Sequence, residues 1–130
     1  MKLDHYLGPR IDGAGERARE LEAAGVDGLF TAEAAHGPFL PLALAAEHTA
    51  RVTLITNIAV AFARSPMDLA QTANDLQAQS GGRFVLGLGT QIRPHIENRY
   101  SMQWSGSPVS TSGTNRPASV CTSRLSSASA

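Results

Sequence analysis

Glu33 and His36 stand three positions apart in the segment Glu33-Ala34-Ala35-His36, an acid and an imidazole of the kind that exchange protons with a substrate. They directly follow the short apolar run Gly28-Leu29-Phe30, which reads as a strand, and the ends of such strands are where α/β enzymes place acid/base groups. A plainer reading also fits: Glu33 is an acid near a helix start and His36 a loop residue with no chemistry. A metal centre does not follow, because zinc or di-iron needs three or four ligands and no second cluster of His, Cys, Asp or Glu accompanies this pair. His48, beside Glu47, reads as a solvated helix residue, and His5 lies within the first predicted strand.

Two further segments could bind rather than react. Gly87-Leu88-Gly89-Thr90-Gln91-Ile92 begins like a dinucleotide fingerprint, but Ile92 stands where the third glycine belongs. Gly89 then either lets the backbone turn at a strand end or admits the close approach of a planar cofactor. Arg93 to Tyr100 collects two arginines, a histidine and an aromatic residue in what reads as a loop, able to hold an anion by charge-assisted hydrogen bonds or to be a surface loop neutralised by Glu97. Nucleophile elbow, Walker A and Cys-His signatures do not occur, so hydrolase and NTPase readings lack their chemistry.

The elements that must position these residues repeat in order. Leu3 to Leu7 suits a strand closed by Gly8-Pro9, and Ala14 to Ala24 carries Ala14, Ala18, Leu21 and Ala24 on one helical stripe before Gly25. Gly28 to Phe30 is a buried strand and Pro38 to Thr49 a helix. Val52 to Phe62 is β-branched and apolar on both alternating faces, as in a strand covered on both sides. Ser65 can cap a helix with Pro66 at its first position, and Gly81-Gly82 stops it before the strand Phe84 to Gly89. Four strand–helix units at roughly 25 to 30 residues each indicate an α/β fold, either a doubly wound sheet or part of a (β/α)8 barrel. A whole barrel needs ~250 residues. Four units make half of one.

Composition divides the chain. Residues 1–104 carry nine basic and eleven acidic groups, whereas Ser105 to Ala130 holds nine Ser, three Thr, two Arg and no Asp, Glu or Lys. That tail has almost no large apolar side chain, so burial cannot offset the entropy of ordering it, and it is expected to be disordered. The domain is therefore placed at residues 1–104, with 105–130 a Ser/Thr-rich tail whose composition suits an out-of-frame or truncated reading of a gene. Overall charge is zero, which gives no field for nucleic acid or anionic lipid, and no stretch is long and apolar enough to span a membrane. A single cysteine, Cys121, and the lack of a secretory h-region at the start suggest a cytoplasmic protein.

Residues 14–49 and 54–91, including the pattern E-AAG-DG-F, the strand followed by Ser65-Pro66 and the run SGGRFVLGLG, resemble the bacterial-luciferase-like family of flavin- and F420-dependent oxidoreductases. The resemblance covers about residues 1–104. It implies the N-terminal half of a (β/α)8 barrel, F420 or alternatively FMN as cofactor, and hydride transfer to, or monooxygenation of, a small organic substrate. It places the ring against a non-prolyl cis peptide at the third strand's end, which falls on Asn57-Ile58, and beside Gly89 and Thr90 at the fourth strand's end. Glu33 takes the place of the family's acid after the second strand, with His36 a displaced substitute for the histidine that sugar-phosphate dehydrogenases carry where Ala34 stands here. Those dehydrogenases also carry a glutamate where Ile92 stands, while the block Gln91 to His95 is shared with F420-dependent oxidoreductases of undefined substrate. The phosphate-binding loops of the later strands lie beyond the resembling segment, which implies weak cofactor binding. Two rival readings remain open: a non-catalytic half-barrel that associates with another chain through its open edges, and a small flavodoxin-like binding protein, which would need a fifth strand.

Overall fold

Apolar runs punctuated by turn residues make this chain a parallel sheet with its helices along one face; the computed structural model describes residues 1–104 and 121–123. The elements run β1 (Asp4–Tyr6), α1 (Ala14–Ala23), β2 (Gly28–Thr31), α2 (Phe39–His48), β3 (Thr53–Thr56), β4 (Ala59–Val60), a single 3-10 turn (Ala61–Ala63), α3 (Pro66–Gln79), β5 (Phe84–Gly89) and α4 (Arg93–Arg99). The sheet order is β1-β2-β3-β5-β4 with every neighbour parallel, and a short β6 (Cys121–Ser123) pairs antiparallel with β5. Ser65 caps α3 as its type predicts, its Oγ accepting the Asp68 N–H at 3.1 Å, with Pro66 in the first turn.

Which face the helices cover decides between the two sheet architectures. Leu29, Leu54 and Phe84 project from three successive strands into one core with Ala18 of α1, Leu42 of α2 and Leu76 of α3. All three helices thus share one face, whereas a doubly wound sheet carries helices on both. Alternation puts Tyr6, Phe30, Ile55 and Val85 on the other face, where they are only partly covered and where the Tyr6 and Phe30 rings meet at 5.5 Å. This is the arrangement of barrel strands, with the helix-free face as the barrel interior. No helix among the described residues is long and apolar enough to cross a membrane.

Three details depart from the sequence reading. The strand expected over Val52 to Phe62 is broken at Asn57-Ile58 into β3 and β4 and ends in the 3-10 turn. The segment from Arg93 that reads as a loop is helix α4, docked by the fully buried Ile96. Its Arg93 pairs with Glu97 at 2.9 Å and Arg99 donates to the Ala34 carbonyl at 3.1 Å, so both arginines of the expected anion loop are engaged within the protein. Cys121–Ser123 forms a strand where the sequence offered none. The rest of the expected disordered tail, 105–120 and 124–130, lies outside the described residues.

Two charged side chains close the end of the sheet where the strands begin. Glu22 of α1 accepts the N–H groups of Ala50, Arg51 and Val52 at 3.1, 2.6 and 3.0 Å, fixing the turn into β3. Arg83 places all five of its N–H groups: Nε on the Ser80 carbonyl, Nη1 on Thr49 Oγ1 and the Val52 carbonyl, and Nη2 on the carbonyls of Ala46 and Thr49. It thereby caps the carbonyl end of α2, where a cation also meets the negative pole of the helix.

Burial opposes ionisation of Glu22, yet the three backbone N–H groups outweigh it and hold the carboxyl below its usual 4.5. A depressed folded value means that the contribution is fully present above the unfolded value and is lost as pH falls through the folded one. Glu22→Gln should therefore lower stability at pH 7 by about 1–3 kcal/mol. The gap to the unaltered chain should narrow below about pH 4.5. Urea midpoints measured from pH 7 to pH 3 check this; a gap that stays constant would contradict it.

Candidate functional site

Because the strands are parallel, the segments that follow β1, β2, β4 and β5 all emerge on one rim of the sheet. The rim is shaped by a bulge. Ile55 faces Val85 and Ala59 faces Leu88, so between these pairs the β3–β4 side carries one residue more than β5. The extra residue is accommodated at Asn57-Ile58, whose peptide bond is cis, at the position the family resemblance indicates. Buried Thr56 replaces the interrupted ladder: its hydroxyl donates to the Gly87 carbonyl at 2.9 Å and accepts the Gly87 N–H at 2.8 Å. A Cβ at position 87 would run into the Thr56 carbonyl oxygen, so the contact demands glycine. On the other side the bulge stays joined to β2, with Asn57 N–H on the Thr31 carbonyl at 2.7 Å and Glu33 N–H on the Ile58 carbonyl at 3.2 Å.

Glu33 is buried, and its carboxylate is saturated. Arg64 grips it with two parallel bonds of 2.8 Å, the Val60 N–H reaches Oε2 at 2.6 Å and the Tyr100 hydroxyl reaches Oε1 at 3.3 Å. Arg64 also lies over the Phe39 ring, 5.1 Å from its centroid. The hydrogen bond to Glu33 raises Arg64 above its usual value, outweighing the burial that opposes it. Burial, followed by the charge of Glu33, pushes the Tyr100 hydroxyl above its usual 10.0, so it remains a donor.

The remaining sequence-predicted residues fall into two groups. Ile58 and Gly89 are brought into contact, since a Cβ on Gly89 would sit 2.8 Å from Ile58 Cγ1 and Cδ1. Gly89 is therefore closely approached by this isoleucine. Asn57 is exposed and Thr90 half-buried on the same rim, and among the described residues neither side chain has a hydrogen-bond partner. His36 is exposed, has no partner among the described residues, and lines a shallow cavity of about 360 Å3 with Arg10, Ile11 and Asp12. Glu33 and His36 are not brought together: one is held inward by Arg64, the other faces solvent. Sequence reasoning missed Thr56 and Arg64, and it read Tyr100 as part of an anion-binding or surface loop and not as a partner of Glu33. The available signal was chemical, in that a glutamate in the apolar setting Thr31-Ala32-Glu33-Ala34-Ala35 needs a cation once buried.

Comparison with known proteins gives a consistent picture. The family model for luciferase-like monooxygenases matches residues 2–111. An uncharacterized protein of Mycobacterium tuberculosis is 60% identical over 104 residues, which is 80% of this chain and 31% of the relative. A second M. tuberculosis protein, named as a coenzyme F420-dependent oxidoreductase, is 39% identical over 90 residues, 68% of this chain and 26% of its own. Among solved structures, the monooxygenase RslO1 of Streptomyces bottropensis superposes with a TM-score of 0.65 at 25% identity, covering 79% of this chain and 37% of that one. The oxygenating constituent of 3,6-diketocamphane monooxygenase from Pseudomonas putida, solved with FMN, superposes at 0.69 with 18% identity, covering 83% and 34%, and shows the shared fold. The chain spans between a quarter and a third of the length of the curated relatives it matches.

The packing of Ile58 on Gly89 yields a direct test. Gly89→Ala should destabilise the chain by about 1–3 kcal/mol by displacing Ile58. Ile58→Ala combined with Gly89→Ala should cost less than the sum of the two single changes, because the space vacated by one admits the other. Denaturant unfolding of the three variants measures the coupling, and strict additivity would refute the contact as the cause.

Proposed function

The chain belongs to the luciferase-like monooxygenase family, and from that premise we propose that its rim is the first half of a site for F420, or alternatively FMN, serving redox chemistry on a small organic substrate. When bound, such a cofactor supplies a hydride or, for reduced FMN, activates dioxygen. The residues present suit a planar ring. Ile58 offers an apolar surface whose position is fixed by Gly89, and Asn57 and Thr90 offer an amide and a hydroxyl not used within the described protein. That combination on one rim is the observation carrying the proposal. The names of the F420-dependent relative and the FMN-containing neighbour support these two cofactors.

In this reading Ile58 supports one ring face, Asn57 and Thr90 orient its polar edge, and the helix-free sheet face with Tyr6 and Phe30 keeps water from it. His36, exposed beside the cavity with Arg10 and Asp12, is the group able to move a proton. Glu33, with its oxygens already occupied, orients its neighbours. A second reading, association of a half-barrel with another chain, is favoured by one observation: β1 has a strand partner on only one side among the described residues.

Equilibrium titration of the purified chain with FMN and with F420, followed by cofactor fluorescence, separates these readings. Weak but saturable binding of one cofactor is expected, weakened about tenfold by Asn57→Ala, the loss of one oriented polar contact. Absence of saturable binding for both, together with a defined dimer in size-exclusion chromatography, would favour the associating half-barrel.

A further inference from the structure

Glu33 sits where an acid/base group was expected, yet its surroundings describe a different task. A carboxylate has about four acceptor positions. Here two go to Arg64, one to Val60 and one to Tyr100. These donors come from three separate pieces of chain: β4, the link into α3, and the residue just after α4. Glu33 also donates its own N–H to the Ile58 carbonyl, and the neighbouring Ala34 carbonyl accepts from Arg99 of α4. The connection then returns on itself, because Phe62, two residues beyond Val60, packs against Trp104 at 5.6 Å, four residues beyond Tyr100.

We propose that Glu33, Arg64 and Tyr100 form a positioning unit that sets the Asn57-Ile58 bulge and the seating of α4 together, so that the ring-facing rim and the segment ending in Trp104 are ordered as one. The part concerning a ring rests on the function proposed above; the mechanical part does not. Glu33 is a positioning residue that acts through Val60 and Ile58. An ionised carboxylate removed from water tolerates few arrangements of its partners, and each partner is therefore held in a single place. Ile58 is limited further by its contact with Gly89, so a small displacement of Val60 is transmitted to the rim.

Trp104 is the only tryptophan in the chain and reports on this unit directly. The test uses the full 130-residue chain with Glu33→Gln, Tyr100→Phe and, as control, Glu22→Gln, which removes a comparable carboxylate at the opposite end of the sheet. Glu33→Gln should red-shift Trp104 emission, increase its quenching by acrylamide and weaken the bound cofactor about tenfold or more, as expected for a misplaced positioning surface. Tyr100→Phe, which leaves the ion pair intact, should move the tryptophan signals in the same direction by less. Glu22→Gln should lower the unfolding midpoint and move neither signal. The proposal is overturned if Trp104 is unchanged in both rim variants, or if the Glu22 control moves it equally. Should Glu33→Gln fail to fold, Tyr100→Phe decides alone. If the unaltered chain binds neither FMN nor F420, the functional reading fails while the Trp104 comparison still decides the positioning role.

Discussion

One ion pair, between buried Glu33 and half-buried Arg64, holds the rim together. Removing the carboxylate from water costs several kcal/mol, and only near-ideal geometry with every remaining acceptor filled offsets this. Glu33 and Arg64 meet those terms through a two-pronged contact at 2.8 Å and a third bond to the Val60 backbone. Such a pair contributes little net stability relative to apolar residues of the same volume. What it contributes is uniqueness: few other arrangements of the end of β2, the bulge and the segment after α4 would leave all those donors and acceptors satisfied. Arg64 reinforces this by stacking on Phe39, which ties the first turn of α2 to the same point.

The two ends of the sheet follow opposite rules. Where the strands begin, Glu22 and Arg83 spread their hydrogen bonds over backbone groups, and the connections there are closed. Where the strands finish, Asn57, Thr90 and His36 have polar groups without partners among the described residues. This division between a sealed end and an open one matters because groups consumed by the scaffold cannot also bind a ligand, and parallel barrels bind at the ends where their strands finish. Glu33 lies at the same rim, but its carboxylate oxygens are engaged by Arg64, Val60 and Tyr100.

Much of this was legible in the residues. Alternating periods gave strands and helices in the correct order, Ser65-Pro66 marked a helix start that the structure caps as expected, and the family resemblance indicated the peptide that is cis. What escaped was everything set by distant partners. The run from Val52 to Phe62 reads as one strand because periodicity sees side chains and cannot see that the neighbouring strand is one residue shorter between two pairs. Helix α4 is short and mostly exposed, with Ile96 its single buried residue, so it has no stripe to detect. Glu33 meets Arg64 across 31 positions and Tyr100 across 67. No local pattern encodes such a meeting, and spacing to His36 suggested a closer but unrealised partnership.

The hydroxyl of Thr56 has a broader implication. Rungs of a β-ladder are ordinarily made by the backbone and are therefore common to every sequence that adopts the strand. Between Thr56 and Gly87 the rung is written in a side chain instead. Strand pairing at this one place is thus heritable in the way an active-site residue is: a single codon can keep it, as serine could, or erase it, as valine would. The fold consequently carries, beside its open rim, a point at which the sheet itself is open to natural selection.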